Sequence, residues 1–205
     1  PAADATFSIV EGGFAGTGNI DADPLFADAA GGDYSLTSAS PAIDAGDFMT
    51  ISAEDLAGTL RTGIPDMGCY EFTGVPTDAA DDWYVDLNAP GPIYDGAGWG
   101  TAFLHPEDAF AVAGMNDTIH IAEGFYPLTP GNSLIVKYGM TILGGYAPGG
   151  ATRDRTAHNT ILSGNGLCTH VLVTGDYVTL DGITVDNGSA VGAGLNEQVG
   201  AGVYA

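Results

Sequence analysis

The sequence predicts an all-β fold with one short α-helix. The 205 residues contain many short runs of Ile, Val, Leu and Thr separated by Gly, Asn or Asp, as is typical of strands joined by tight turns. Gly and Pro are abundant, at 32 and 11 residues, and show no collagen period. The irregular spacing of the predicted strands, roughly 8–20 residues, fits a sandwich or a solenoid.

The first part of the chain, residues 1–73, predicts strands and no helix. Three segments combine apolar residues with flanking turn signals, and the predicted strands are 5–10, 33–37 and 66–72. Residues 74–82 contain Pro, small residues and acid but no aromatic residue, which predicts a linker. We therefore place a domain boundary there.

The second part, residues 83–205, begins with a predicted strand at 83–87. A helix is predicted at 106–113, because Pro106 opens the segment, two acidic residues follow it, and Gly114 ends it. Further strands are predicted at 118–122, 133–137, 140–143, 160–162, 170–173, 178–180, 183–185 and 202–204.

Charge limits the classes of partner. Four Lys and Arg residues against 26 Asp and Glu give a formal net charge of −22. Such a chain cannot neutralise a run of phosphates, so nucleic acid and anionic membrane surfaces are disfavoured. No run of 18 apolar residues is present, so no membrane insertion is expected. The excess acid must be solvated, screened by salt or neutralised by divalent cations.

Several segments carry a family resemblance. Four segments resemble the last coils of right-handed parallel β-helix surface proteins associated with choice-of-anchor sorting regions. They are Gly-Asn-Ile-Asp-Ala-Asp-Pro-Leu-Phe at 18–26 and the segments 32–36, 40–46 and 65–72. Six later segments resemble the start of such a domain, including a capping helix. They are 83–86, 98–103, 117–126, 143–146, 153–164 and 178–185. The resemblance implies terminal coils at 1–73, a linker at 74–82, and the cap and first coils of a second β-helix at 83–205.

This order has a consequence for assembly. An ending precedes a beginning, so each piece is expected to have an open end that exposes apolar residues and unpaired strand edges. The residues expected at these ends are Phe7, Ile9, Val203 and Tyr204. The alternatives are head-to-tail stacking of copies, excision from a longer tandem array, and completion of the two pieces by each other within one chain.

Aspartates and cysteines suggest a metal site and a disulfide. Asp21, Asp23 and Asp28 have a spacing that suits Ca²⁺, although the Gly and distal Glu of an EF-hand are absent. The alternative is that they cap backbone N–H groups in turns. Cys69 and Cys168 allow one disulfide, within or between chains, or two free thiols.

The function expected from these observations is structural: an extracellular stalk, adhesin or filament, with copies of itself and surface carbohydrate as partners. We expect that no cofactor is required, and Ca²⁺ is the candidate ion for the aspartates named above. The alternative is a carbohydrate-binding or polysaccharide-cleaving β-helix protein. Its bases would come from Arg61, Lys137, Arg153 and Arg155, and its acids from pairs such as Asp81 and Asp82. The aromatic residues Trp83, Tyr84, Trp99, Phe103 and Phe110 suit either a sugar platform or a hydrophobic cap.

Overall fold

A computed structural model describes residues 5–47, 52–61, 63–77, 79–190 and 202–204. The chain divides into two compact units, Pro1–Asp78 and Ala79–Ala205, and this division falls within the segment predicted as a linker. The described residues form mostly β-strands with one α-helix, which confirms the all-β class and the helix predicted at 106–113.

The first unit contains one two-stranded sheet. Strands β1 (Phe26–Asp28) and β2 (Asp33–Leu36) pair antiparallel around a 3₁₀ turn at Ala29–Gly31. The predicted strand at 5–10 is reduced to a single parallel bridge between Ile9 and Ile20.

The strand predicted at 66–72 is wrong. Carboxylates take up several of the backbone donors there: Glu71 accepts from the N–H of Asp66, and Asp55 accepts from that of Glu71. Asp66 in turn accepts from the N–H of Phe72 at 2.6 Å. The alternating apolar pattern cannot reveal this, because side-chain acceptors compete with a strand partner for the same N–H groups.

The described residues of the second unit form eleven secondary-structure elements besides short 3₁₀ turns. They are β3 (Asp82–Val85), α1 (Pro106–Val112), β4 (Thr118–Ala122), β5 (Gly124–Pro127), β6 (Leu134–Val136), β7 (Thr141–Tyr146), β8 (Thr160–Cys168), β9 (Leu172–Thr174), β10 (Thr179–Asp181), β11 (Ile183–Gly188) and β12 (Val203–Tyr204).

In the part of this unit that the structure describes, the named strands pair in parallel and form three sheets. The orders are β10-β7-β4-β3, β11-β8-β5 and β12-β9-β6. Each set of three successive strands, starting at β4, β7 and β10, thus places one strand in each sheet. We call such a set a rung. Successive rungs lie side by side, as the backbone hydrogen bonds between their strands require.

The core consists of apolar residues in register from rung to rung. Three apolar columns, one in each sheet, are formed by Ile119, Ile142 and Leu180, by Tyr126, Leu162 and Val185, and by Leu134, Leu172 and Val203. The first two members of every column are buried. Helix α1 packs against β3, β4 and β6 and contributes Ala109 and Phe110 to the same core.

Helix α1 begins at Pro106 for local reasons. Pro106 occupies the first turn, where a missing N–H costs nothing, and Glu107 and Asp108 place negative charge at the positive end of the helix. No helix in the described residues is long and apolar enough to cross a membrane.

Candidate functional site

Four side chains form an aromatic–histidine cluster on the sheet β10-β7-β4-β3: Tyr84, Trp99, His120 and Tyr146. Tyr84 and His120 occupy paired positions on β3 and β4, and their rings stack with centroids 4.8 Å apart. Trp99 lies 5.1 Å from the rings of both Tyr84 and Tyr146. The four residues are each partly exposed, so the cluster is accessible to solvent.

A hydrogen-bond chain runs through this cluster. His120 Nε2 lies 2.7 Å from Asp82 Oδ1, and His120 Nδ1 lies 2.9 Å from the Tyr146 hydroxyl. An ionised carboxylate only accepts, so Nε2 carries a hydrogen, and in the neutral imidazole Nδ1 accepts from Tyr146. Burial is the main cause that raises the pKa of Tyr146, which favours the neutral phenol as a donor.

Two arginines adjoin the cluster. The Arg153 guanidinium carbon lies 5.5 Å from the centre of the Tyr146 ring. Arg153 and Arg155 both bind Asp181, at 2.8 and 2.5 Å, and these hydrogen bonds lower the pKa of its carboxyl. Arg155 is 62% exposed, so part of its guanidinium faces solvent.

Glycine allows Trp99 to pack closely. A Cβ atom on Gly150 would lie 2.0 Å from the Trp99 ring, and Gly150 has a φ of +70°. Only a glycine combines this backbone conformation with so close an approach at no steric cost.

The five aromatic residues singled out in the sequence separate into two groups. Trp83 stacks on Phe103 at 6.3 Å and donates to the buried carboxylate of Asp117, and Phe110 is in the core. Trp83 and Phe103 therefore pack against the core to which α1 contributes Phe110. Tyr84 and Trp99 instead lie in the aromatic–histidine cluster with His120, whose place in a predicted strand indicated a packed or exposed side chain rather than a metal ligand.

The first unit contains a cavity of about 780 Å³. Two of the residues expected at an open end, Phe7 and Ile9, line it together with Phe26 and Met67. Glu11, Asp21 and Asp23 also line it, so the cavity combines apolar walls with carboxylates. The other two expected assembly residues, Val203 and Tyr204, form β12 at the edge of its sheet, and Tyr204 contacts the His170 ring at 5.0 Å.

The carboxylates proposed as metal ligands bind backbone N–H groups. Asp21 accepts from Gly12 at 2.9 Å, and Asp23 accepts from Leu25 at 2.9 Å. Asp28 accepts from Gly31 at 3.0 Å. No group of three His, Cys, Asp or Glu residues able to hold a metal is found among the residues described. Ca²⁺ binding at these residues stays a prediction, and a melting experiment can test whether stability depends on salt or Ca²⁺.

We expect salt or Ca²⁺ to raise the melting temperature of the chain. The physical reason is self-repulsion, since the net charge is −22 and few basic residues offset it. Thermal melts followed by circular dichroism in chelator at low salt, in NaCl, and in millimolar CaCl₂ of matched ionic strength provide the measurement. Equal midpoints in all three buffers would contradict the expectation. A higher midpoint in CaCl₂ than in NaCl would indicate specific sites.

Both cysteines are free thiols in the structure. Cys69 is partly exposed in the first unit, and Cys168 is buried in the second. The Cys168 Sγ lies 3.5 Å from the carbonyl oxygen of Thr129, and burial raises the pKa of this thiol. A disulfide between Cys69 and Cys168, within or between chains, stays a prediction.

A buried carboxylate network organises the first unit. Asp66, which is 2% exposed, accepts hydrogen bonds from the backbone N–H groups of Asp44 and Phe72, at 2.9 and 2.6 Å. The neighbouring Glu71 binds Arg61 at 2.8 Å, and both of these side chains are 7% exposed. Burial is the main cause that raises the pKa of Asp66 to about 7.

The basic residues considered for catalysis have structural contacts. Arg61 binds Glu71 and the carbonyl oxygen of Gly68, and Lys137 Nζ donates to the carbonyl oxygen of Ala113 at 2.8 Å. Of the acidic pair, Asp82 belongs to β3 and to the hydrogen-bond chain described above, rather than to a linker. The sequence contained one signal for the position of His120. It lies between Ile119 and Ile121, which are both buried, so its side chain must point to the opposite face of the strand, away from the core.

We found no protein-family model, curated protein or solved structure that matches this chain.

Proposed function

We propose that this chain is part of an extracellular structural protein, a subunit or repeat of a surface stalk, adhesin or filament. In this proposal, right-handed parallel β-helix units stack end to end. The order of strands in the second unit supports the β-helix, because each rung contributes one strand to each of three parallel sheets. Right-handed connection between parallel strands is the strongly favoured hand.

One observation carries the proposal for stacking. All three apolar columns end on an apolar residue that is less buried than the two before it: Leu180, Val185 and Val203. Val203 is 37% exposed, whereas Leu134 and Leu172 in the same column are 1% and 0% exposed. These three residues lie on β10, β11 and β12, which are edge strands of their sheets in the described residues.

A further rung on this end would cover the exposed apolar residues and the unpaired strand edges. It would bury the three apolar side chains, and it would pair the strand edges, so association would use the interactions that already hold the rungs together. The occupant that we propose is the first unit of a second copy. Its cavity is lined by Phe7, Ile9 and Phe26, and Ile9 pairs with Ile20 in an isolated bridge outside the named strands.

The heterologous geometry leads to an open assembly. The two proposed surfaces lie on different units, so a head-to-tail contact repeats indefinitely unless its rotation closes a ring. The acidic composition supports a location outside the cell, where salt and divalent cations can screen the charge.

Replacing Val203 with Asp tests the proposal. We expect the 205-residue chain to form end-to-end assemblies in light scattering and electron microscopy, and the variant to stay monomeric at the same micromolar concentration. The reason is that the new carboxylate would have to be buried without a partner in the stacked state.

The matched control is Leu167→Asp. Leu167 is 56% exposed on β8, in the middle strand of its sheet, so this variant adds the same charge away from the proposed end. It should assemble like the unmodified chain. A stable monomer of the unmodified chain, or equal assembly by the Val203 variant, would contradict the proposal.

A further inference from the structure

We propose that the outer face around the aromatic–histidine cluster binds an uncharged oligosaccharide. This site is separate from the stacking end and does not depend on stacking. The proposed binding face comprises Asp82, Tyr84, Trp99, His120, Tyr146 and Arg155.

Unpaired polar groups lie among the rings of this face. Three polar atoms have no hydrogen-bond partner in the described part of the protein: the Tyr84 hydroxyl, Trp99 Nε1 and Asp82 Oδ2. They are not fully buried. The face thus contains a hydroxyl, an indole N–H and a carboxylate oxygen that the described residues leave unpaired. The Asp82 side chain is 62% exposed, so its free oxygen is accessible.

The rings supply the complementary apolar surface. Tyr84, Trp99 and Tyr146 are held at fixed distances by stacking and edge contacts with each other and with His120. A pyranose has an apolar face of C–H groups and a rim of hydroxyls, which matches aromatic side chains with polar groups at their edges. Because the rings are already ordered, binding would cost little side-chain entropy.

The charge of the face indicates a neutral ligand. Within the face the carboxylate of Asp82 is matched by the guanidinium of Arg155, and beside it Asp181 is paired with Arg153, although the whole chain carries −22. An acidic polysaccharide would be repelled by the rest of the surface, whereas an uncharged one would not. A carboxylate and a guanidinium together can also bind hydroxyls both as acceptor and as donor.

The length of the face favours an oligosaccharide over a single sugar. Tyr84, His120 and Tyr146 come from three neighbouring strands, β3, β4 and β7. At about 4.8 Å between strands, these residues extend over about 10 Å.

Isothermal titration calorimetry tests the site with cellohexaose and mannohexaose as neutral probes and oligogalacturonate as an acidic probe. We expect the 205-residue chain to bind a neutral probe at millimolar or lower concentration and to bind the acidic one more weakly. Tyr84→Phe removes the free hydroxyl and keeps the ring, so it should weaken binding about 2- to 10-fold. Asp82→Asn should weaken it about tenfold or more, because a charged acceptor is lost.

Tyr177→Phe is the matched control, since Tyr177 is 80% exposed and lies outside the proposed face. It should bind the neutral probe like the unmodified chain, and melting curves should show each variant folded. No heat with either neutral probe, stronger binding of the acidic probe, or equal affinity in the Tyr84, Asp82 and Tyr177 variants would overturn the proposal. Unchanged binding by Val203→Asp would confirm that the site is independent of stacking.

Discussion

Replacing Ile142 with Ala should lower the free energy of unfolding of the second unit by about 2–5 kcal/mol. Ile142 is 0% exposed and lies on β7, with Ile119 of β4 on one side and Leu180 of β10 on the other. The smaller side chain would leave a cavity in the middle of a column. Hydrogen-bonded strands on both sides restrict the movement that could fill it.

Urea unfolding followed by tryptophan fluorescence measures this effect in the second unit alone, because Trp83 and Trp99, the two tryptophans of the chain, both belong to it. Val112→Ala is the control, since Val112 is 50% exposed on α1 and its truncation should change stability by no more than about 0.5 kcal/mol. A loss below about 1 kcal/mol for Ile142→Ala would mean that the columns are not the tightly packed core of this unit.

The first unit should lose about 2–3 kcal/mol of stability as the pH rises from 5 to 8. The pKa of Asp66 is raised from its ordinary value of 3.8 to about 7 in the folded unit. The folded state therefore binds this proton more tightly than the unfolded state does. The stabilisation is complete below pH 3.8 and is lost as the pH rises through 7.

This pH range isolates Asp66. All four histidines lie in the second unit, and ordinary carboxyl groups have ionised by pH 5. The measurement is thermal unfolding by far-ultraviolet circular dichroism, with tryptophan fluorescence identifying the transition of the second unit.

The variant Asp66→Asn should remove the slope between pH 5 and 8. It should also be less stable at pH 5, because the amide NH₂ only donates and cannot replace one of the two carboxyl oxygens that accept from the N–H groups of Asp44 and Phe72. Asp33→Asn, at an exposed carboxyl group, should keep the slope. A slope that persists in Asp66→Asn would assign the pH dependence to other groups.

Local sequence patterns predicted most of the strands of the second unit and their positions. The predicted strand at 118–122 coincides with β4, and the predicted helix at 106–113 differs from α1 by one residue. Alternation of apolar and polar residues and the placement of Pro and acid are properties of neighbouring residues, so they can be read without the fold. In β8 the prediction ended at Leu162, yet the strand runs to Cys168. Its register with β11 shifts between Ser163 and Cys168, where Asn165 and Gly166 have positive φ, as in a β-bulge that local alternation cannot reveal.

The sequence by itself determined the all-β class, the short helix and the apolar character of the rungs. Only the tertiary structure decided which strands are neighbours, and with them the aromatic–histidine cluster: His120 meets Asp82, 38 residues away, and Tyr146, 26 residues away. It also decided that Asp66 is buried and that the segment 66–72 is not a strand. The physical reason is that register and burial depend on contacts between residues far apart in the chain, whereas strand and helix preferences depend on residues that are adjacent.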